Sequence, residues 1–398
     1  MDMPHRNNRF LSAWKILPGG IWVLGCGSLF MDISSELIHS LLPMFLVTTL
    51  GASMVTVGII EGVAEATAAI TKFFSGVLSD YLGKRKFVMV LGYALAAITK
   101  PIFPLAASVS WVFGARFIDR VGKGIRGAPR DALVADLVAP EMRGAAYGLR
   151  QALDSVGALL GPVFAVVLLI WFANNIRLAM WFAVLPAFLT VGLLLAFIQE
   201  PARGGMQSTA RKFLAIKDTR VLPLRYWLVV GLGAVFTLAR FSEAFLLLRA
   251  QDLNLELRYI PIVMIVMNIF YAGGSYPAGV IADRIRSRIL LLFGLVLLIV
   301  ADIVLAFATI PLTVLVGAAL WGLHMAFTQG LLAKLVADTA PAELRGTGFG
   351  VFNFVSGGAL LLASVIAGSL WSAYGASAAF LAGAFFALVA ALGLLAAA

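Results

Sequence analysis

Between positions 116 and 131 the chain sets Arg116, Asp119, Arg120, Lys123, Arg126, Arg130 and Asp131 into one stretch. Arg116, Arg120, Lys123 and Arg130 follow steps of four, three and seven, so a helix carries them as one stripe. A basic stripe suits an anionic or zwitterionic solute. Asp119 precedes Lys123 by four residues and can pair with it on the same helix. Upstream, Asp32, Glu36 and His39 share a face by the same spacing rule, as do Glu61, Glu65 and Lys72. At about 1.5 Å per residue, Asp32 falls level with Lys123 and Glu36 near Arg120. Acid facing base at equal depth lets a proton displace an ion-pair partner. Asp32 and Glu36 are thus the first candidates for proton coupling, with Glu61 and Glu65 behind them. A self-neutralising ion-pair network is the competing account, since acids and bases are balanced in this half. The carboxylates with His39 could also ligate a divalent metal. The many cations, the lack of His-x-x-x-His and the single cysteine, Cys26, argue against that. His39 then reads as a hydrogen-bonded helix residue at the edge of a substrate site.

Such groups need elements to hold them, and composition names those elements. Of 398 residues, 61% are apolar and only 13% charged. Soluble domains have about 45–50% and about 25%, so the solvent here is a bilayer. A soluble enzyme, a secreted domain and a disordered chain are excluded. Apolar runs between charge clusters predict twelve spans: 21–50, 55–80, 87–107, 109–134, 145–172 and 176–198, then 222–248, 259–281, 289–308, 312–336, 346–371 and 373–395. Each is near the ~20 residues a membrane helix needs. With the N-terminus inside, Lys84, Arg85, Lys86, Arg143, Lys212, Arg286, Arg288 and their neighbours fall on cytoplasmic loops. Arg177, Arg249 and Arg258 fall outside. The net charge of +10 is therefore the positive-inside signal, not a nucleic-acid patch. Trp111, Trp171, Trp181 and Trp371, at predicted outer ends, read as interfacial anchors.

The two halves are copies. Leu133-Val-Ala-Asp136 through Glu141-Met-Arg143-Gly144 matches Leu335-Val-Ala-Asp338 through Glu343-Leu-Arg345-Gly346, and Gly76-Val-Leu-Ser-Asp80 matches Gly279-Val-Ile-Ala-Asp283. Parallel six-helix repeats with substrate held between them are a transporter architecture. Gly122-Lys-Gly124-Ile-Arg-Gly127 spells GxGxxG, but a dinucleotide site needs a strand before it and a soluble βαβ unit. Those glycines instead loosen the helix or admit a close neighbour.

Gly76-Val-Leu-Ser-Asp80-Tyr81-Leu-Gly83-Lys84-Arg85 resembles the loop signature of the major facilitator superfamily, with Tyr81 where that family usually has arginine; Arg284 stands there in the second copy. The resemblance implies a gating role for Gly76, Asp80, Gly83, Lys84, Arg85, Asp283 and Arg284, joined by Arg130 and Asp131. It also puts spans one, four, seven and ten on a central cavity. Arg240, Glu243, His324 and Gln329 are then the second half's candidates beside His39, Arg116, Asp119, Arg120, Lys123 and Arg126. Gly148, Gly157 and Gly161-Pro162 resemble the fifth-span motif of proton-driven antiporters, without its final glycine pair. That likeness implies export, and makes Gly157, Gly161 and Pro162 part of the moving machinery. Ordinary tight packing would use the same small residues.

The expectation is an all-α integral membrane protein of the major facilitator fold, with twelve helices in two pseudo-symmetric bundles, 1–199 and 222–398, joined by a cytoplasmic linker, 200–221. It is a monomeric proton-coupled antiporter in the cytoplasmic (inner) membrane, both termini inside, exporting a small polar or anionic solute. No enzyme motif, cofactor, resident metal or nucleic acid is implied. Import, divalent-metal export and a non-transporting membrane scaffold are the alternatives.

Overall fold

A computed structural model describes residues 17–82, 84–200, 222–282, 285–341 and 344–396. Among them twelve spanning segments follow one another. In the first half these are α1 (Gly19–Met44, continued by a π-helical turn, Phe45–Thr49), α2 (Met54–Leu82), α3 (Arg85–Thr99), α4 (Val109–Leu137), α5 (Arg143–Trp171) and α6 (Ile176–Trp181, resumed at Val184–Phe197). In the second they are α7 (Leu224–Leu238, resumed at Ala244–Asp252), α8 (Ile262–Ala282), α9 (Ser287–Ala306), α10 (Pro311–Thr339), α11 (Arg345–Tyr374) and α12 (Ala376–Ala396). Ten are long and apolar enough to cross a membrane. The other two fall short for separate reasons. α4 carries the charge run, and α7 is interrupted between Leu238 and Ala244. α3 is interrupted after Thr99, because Pro101 has no N–H to continue the ladder, and a further turn, Ile102–Leu105, carries the span close to the expected 107.

Within each half, glycine sets how closely helices approach. A Cβ on Gly157 would lie 2.7 Å from the Leu29 carbonyl oxygen, and one on Gly161 would lie 2.8 Å from the Leu37 nitrogen. α5 therefore rests on the backbone of α1. α4 is wedged in the same way: a Cβ on Gly122 would meet the Gly92 carbonyl of α3 at 2.6 Å, and one on Gly124 the Ala68 carbonyl of α2 at 2.9 Å. The glycines of the GxGxxG run admit close neighbours. Small residues do this work in membranes because apolar side chains gain little by leaving lipid for protein.

The halves meet along α2 and α11. A Cβ on Gly58 would collide with the Ser364 carbonyl oxygen, and one on Gly368 with that of Met54; Gly62 lies against Leu361 and Gly357 against Ala66. This seam runs from the end opposite the chain termini to mid-helix. Beyond it the helices part, and Phe74 on α2 and Phe354 on α11 are 60% and 63% exposed. On the other side, Asn268 of α8 donates to the Ala158 carbonyl of α5 at 3.0 Å. The molecule is closed at the far end and open toward the end bearing both termini.

Trp111, Trp171 and Trp181 are exposed, as interfacial anchors are. Trp371 is not. It is buried against Phe245 of α7 and Phe380 of α12, because these neighbours of its own half cover it.

Candidate functional site

α4 runs through the first half with a base at nearly every turn, and most of these bases are held by acids on neighbouring helices. Arg116 donates to Glu61 of α2 at 2.7 Å, both nearly inaccessible. Arg120 lies 3.3 Å from Glu65, one turn along. Arg126 sits 4.8 Å above the Tyr93 ring and 3.9 Å from Asp32. Arg130 donates to Ser28 at 3.0 Å, with Asp131 at 3.3 Å and Asp154 at 3.9 Å. Arg150 of α5 closes the cluster on Asp154 at 2.8 Å. Asp119 does not pair with Lys123. It accepts from Lys100 of α3 at 2.8 Å, while Lys100 also reaches Ser35 of α1. Lys100 is buried at the end of α3 and needs a counterion there, whereas Lys123 faces open space.

Lys123 is the exception on α4. It is exposed to the interior opening and makes no ion pair within 4 Å among the described residues, although Glu36, Glu65 and Asp32 are the nearest opposite charges. Glu36 instead hydrogen-bonds His39 Nδ1 at 3.2 Å, and His39 Nε2 lies 3.7 Å from Glu61. His39 is thus a link in the network joining α1 to α2. Asp32 is held least firmly: its nearest base is 3.9 Å away, and Asp154 shares its surroundings. The two carboxylates line a cavity of about 210 Å³ with Gln151, Ser155, Asn268 and Tyr271. Among the described residues no three His, Cys, Asp or Glu side chains converge as a metal ion would require.

The second half contributes through the break in α7. Arg240 and Glu243 sit there half-buried, without an ion pair among the described residues. Glu243 looks across to His39, Glu36 and Glu65, with Arg240 beside it. Tyr271 of α8 donates to Gln329 of α10 at 2.7 Å, and Gln329 is exposed. His324 lies elsewhere: it is fully buried, bonded to the Gly294 carbonyl of α9 at 2.7 Å and stacked on Phe236.

At the terminal end, Arg85 pairs with Asp136 and donates to the Ala132 carbonyl at 3.1 Å, tying α3 to α4. Lys84 is exposed beside it. Gly83, Asp283 and Arg284 lie outside the described residues, as do the side-chain positions of Gly76 and Asp80. Pro162 lies inside α5, immediately after the contact made by Gly161.

Reasoning from the sequence missed the α2–α11 seam. Its signal is there: Gly58, Gly62 and Ala66 recur every four residues, a small-residue stripe of the kind that brings membrane helices together.

Two bundles of six membrane helices around a charged interior opening define a membrane transporter. The Major Facilitator Superfamily profile matches residues 24–248 and 232–398, and the chain belongs to that family. It is 32% identical over 375 residues to an uncharacterized MFS-type transporter of Methanocaldococcus jannaschii, covering 92% of this chain and 90% of the relative. It is 25% identical over 341 residues to a probable 4-methylmuconolactone transporter of Cupriavidus pinatubonensis, covering 83% and 78%. The crystal structure of the nucleoside transporter NupG superposes with a TM-score of 0.77 at 14% identity, over 94% of this chain and 98% of that one. The protein is a multi-pass membrane transporter, not an enzyme.

Proposed function

We propose that the protein is a proton-coupled antiporter that exports a small organic anion across the inner membrane. Segments 1–199 and 222–398 rock about the central site, 200–221 links them, and both termini are cytoplasmic. On that topology the opening at the terminal end faces the cytoplasm, where an exporter loads. The supporting observation is the asymmetry of α4. Arg116, Arg120, Arg126 and Arg130 are engaged by acids, whereas Lys123 meets the opening without an ion pair. Arg240, half-buried at the α7 break of the second half, also has no ion pair among the described residues. A cation from each half gives an anion two points to bridge, so that binding and closure become one event. The relative named for 4-methylmuconolactone is consistent with a small organic solute.

Asp32 is the coupling acid in this proposal, with Glu36 second and Glu61 and Glu65 committed to arginines. It lies on the cavity, beside Asp154 and within weak reach of Arg126. A proton arriving there loosens Arg126 and changes the field around Lys123, so proton and anion compete without touching. The test supplies inverted membrane vesicles with an external panel of carboxylates, phosphates and neutral analogues, with and without a proton gradient. Wild type should accumulate one anion only with the gradient. Lys123→Gln should depress that anion at least tenfold and spare any neutral substrate. Asp32→Asn should abolish accumulation yet keep exchange of labelled for unlabelled solute. Accumulation indifferent to the gradient rules out proton coupling, and full activity of Lys123→Gln rules out the anion site.

A further inference from the structure

Asp302 lies on α9, one turn before its far end, with no accessible surface. Neither carboxyl oxygen has a hydrogen-bond partner among the described residues. The groups around it explain why. A Cβ on Gly383 of α12 would lie 2.6 Å from Asp302 Oδ2 and 3.0 Å from the Phe241 ring, so the acid and that ring share one pocket. Phe241 belongs to the break in α7, and its ring also packs on Trp321 of α10, at 5.4 Å between centroids. Trp321 is itself fully buried, and its Nε1–H has no partner. A buried acceptor and the ring of a buried donor thus both lie beside one phenyl ring.

No charge balances the acid. α12 carries no ionisable side chain between Ala376 and Ala396. On α10, His324 is turned to the Gly294 carbonyl. On α7, Arg249 donates to the carbonyls of Leu305, Ala306 and Ala308 and pairs with Asp252, while Arg240 and Glu243 face the central opening. An ionised carboxylate with no accessible surface and no counterion is costly, so burial favours the neutral acid here.

We propose that Asp302 is a second proton-binding site, occluded by Phe241 while the far end is closed and opened when the α7 break moves. It rests on the alternating-access, proton-coupled function above and extends it to the second half. When the outer part of α7, Ala244–Asp252, bends at the break relative to α9, α10 and α12, Phe241 withdraws with it. The carboxylic O–H then gives its proton to water, and the carboxylate left behind can accept from the indole N–H of Trp321. Alkaline conditions therefore favour the far-end-open state, because only that state solvates the anion. The same device returns a proton to the closed state as the far end shuts.

Two measurements on the purified full chain test this. Infrared spectroscopy at about pH 8, where accessible acids are ionised, should show the carbonyl band of a protonated acid. Asp302→Asn should remove it, and Asp32→Asn should not. Spin labels at Ser53→Cys and Ser372→Cys, in a Cys26→Ser background, report the far end. Their separation should lengthen as pH rises in wild type and in Asp32→Asn, but not in Asp302→Asn or Asp302→Thr. A wild type without the band, a band surviving Asp302→Asn combined with Glu243→Gln, or an alkaline shift retained in both neutral variants overturns the proposal. A band and shift that depend on Asp302, in a protein whose transport ignores the gradient, leave this site standing and remove coupled export instead.

Discussion

Arg116 and Lys123 are two turns apart on one helix and do different work. Arg116 is inaccessible and bonded to Glu61, so removing it leaves a carboxylate without its counterion, a change that costs about 3–5 kcal/mol. Arg116→Gln should accordingly lower thermal stability in detergent, and the double variant Arg116→Gln, Glu61→Gln should recover most of the loss, because two amides leave no unpaired charge. Lys123→Gln should leave the melting curve within about 0.5 kcal/mol of wild type. Equal destabilisation by both single variants would put Lys123 inside the network. The residue types and their helical stripe were legible in the sequence, because spacing alone fixes a helix face. The partners were not. Asp119 can meet Lys123 on its own helix, yet Lys100 arrives from α3 with a buried ammonium that has greater need of it. Local spacing ranks the pairs a helix permits, and burial on another helix decides between them.

At the scale of elements, twelve spans and their order follow from apolar runs between charge clusters, even for the two weakest, α4 and α7. What hydropathy does not mark is which apolar face meets protein and which meets lipid, since a membrane helix is apolar on both. Small residues carry that information. Gly157 and Gly161 were noticed for a motif, and they seat α5 on α1. The stripe Gly58, Gly62 and Ala66 carries the same small-residue signal, and it seats one half on the other along α2 and α11. Leucine at Gly58 cannot fit beside the Ser364 carbonyl while the far end is shut. Overpacking of this kind costs about 1–3 kcal/mol, and here the strain is released by opening. Gly58→Leu should thus shift the resting population toward the far-end-open state by roughly 5- to 160-fold. Labelling of a single cysteine on the α2–α11 seam by a membrane-impermeant thiol reagent should rise accordingly. Unchanged labelling would make the seam a passive contact.

For the whole molecule, the α2–α11 seam and the Asn268–Ala158 bond close one end while the other stands open, and alternating access requires that closure to be reversible. A covalent bond across the seam tests this directly. A Cβ on Gly357 would lie 3.5 Å from that of Ala69, at the short end of the roughly 3.5–4.5 Å a disulfide spans. The site is at mid-helix, where α2 and α11 begin to part. The double variant Ala69→Cys, Gly357→Cys, with Cys26→Ser to remove the native thiol, should cross-link on mild oxidation without rearranging the backbone. The cross-linked protein should still bind solute from the terminal end, since that opening is untouched. It should not exchange solute across the membrane, and a reductant should restore exchange. Each single cysteine should behave as wild type under both conditions. The combination matters, because binding without exchange separates a blocked transition from a damaged site. Full exchange by the oxidised protein would mean that the halves need not part along α2 and α11, and that solute crosses by another route.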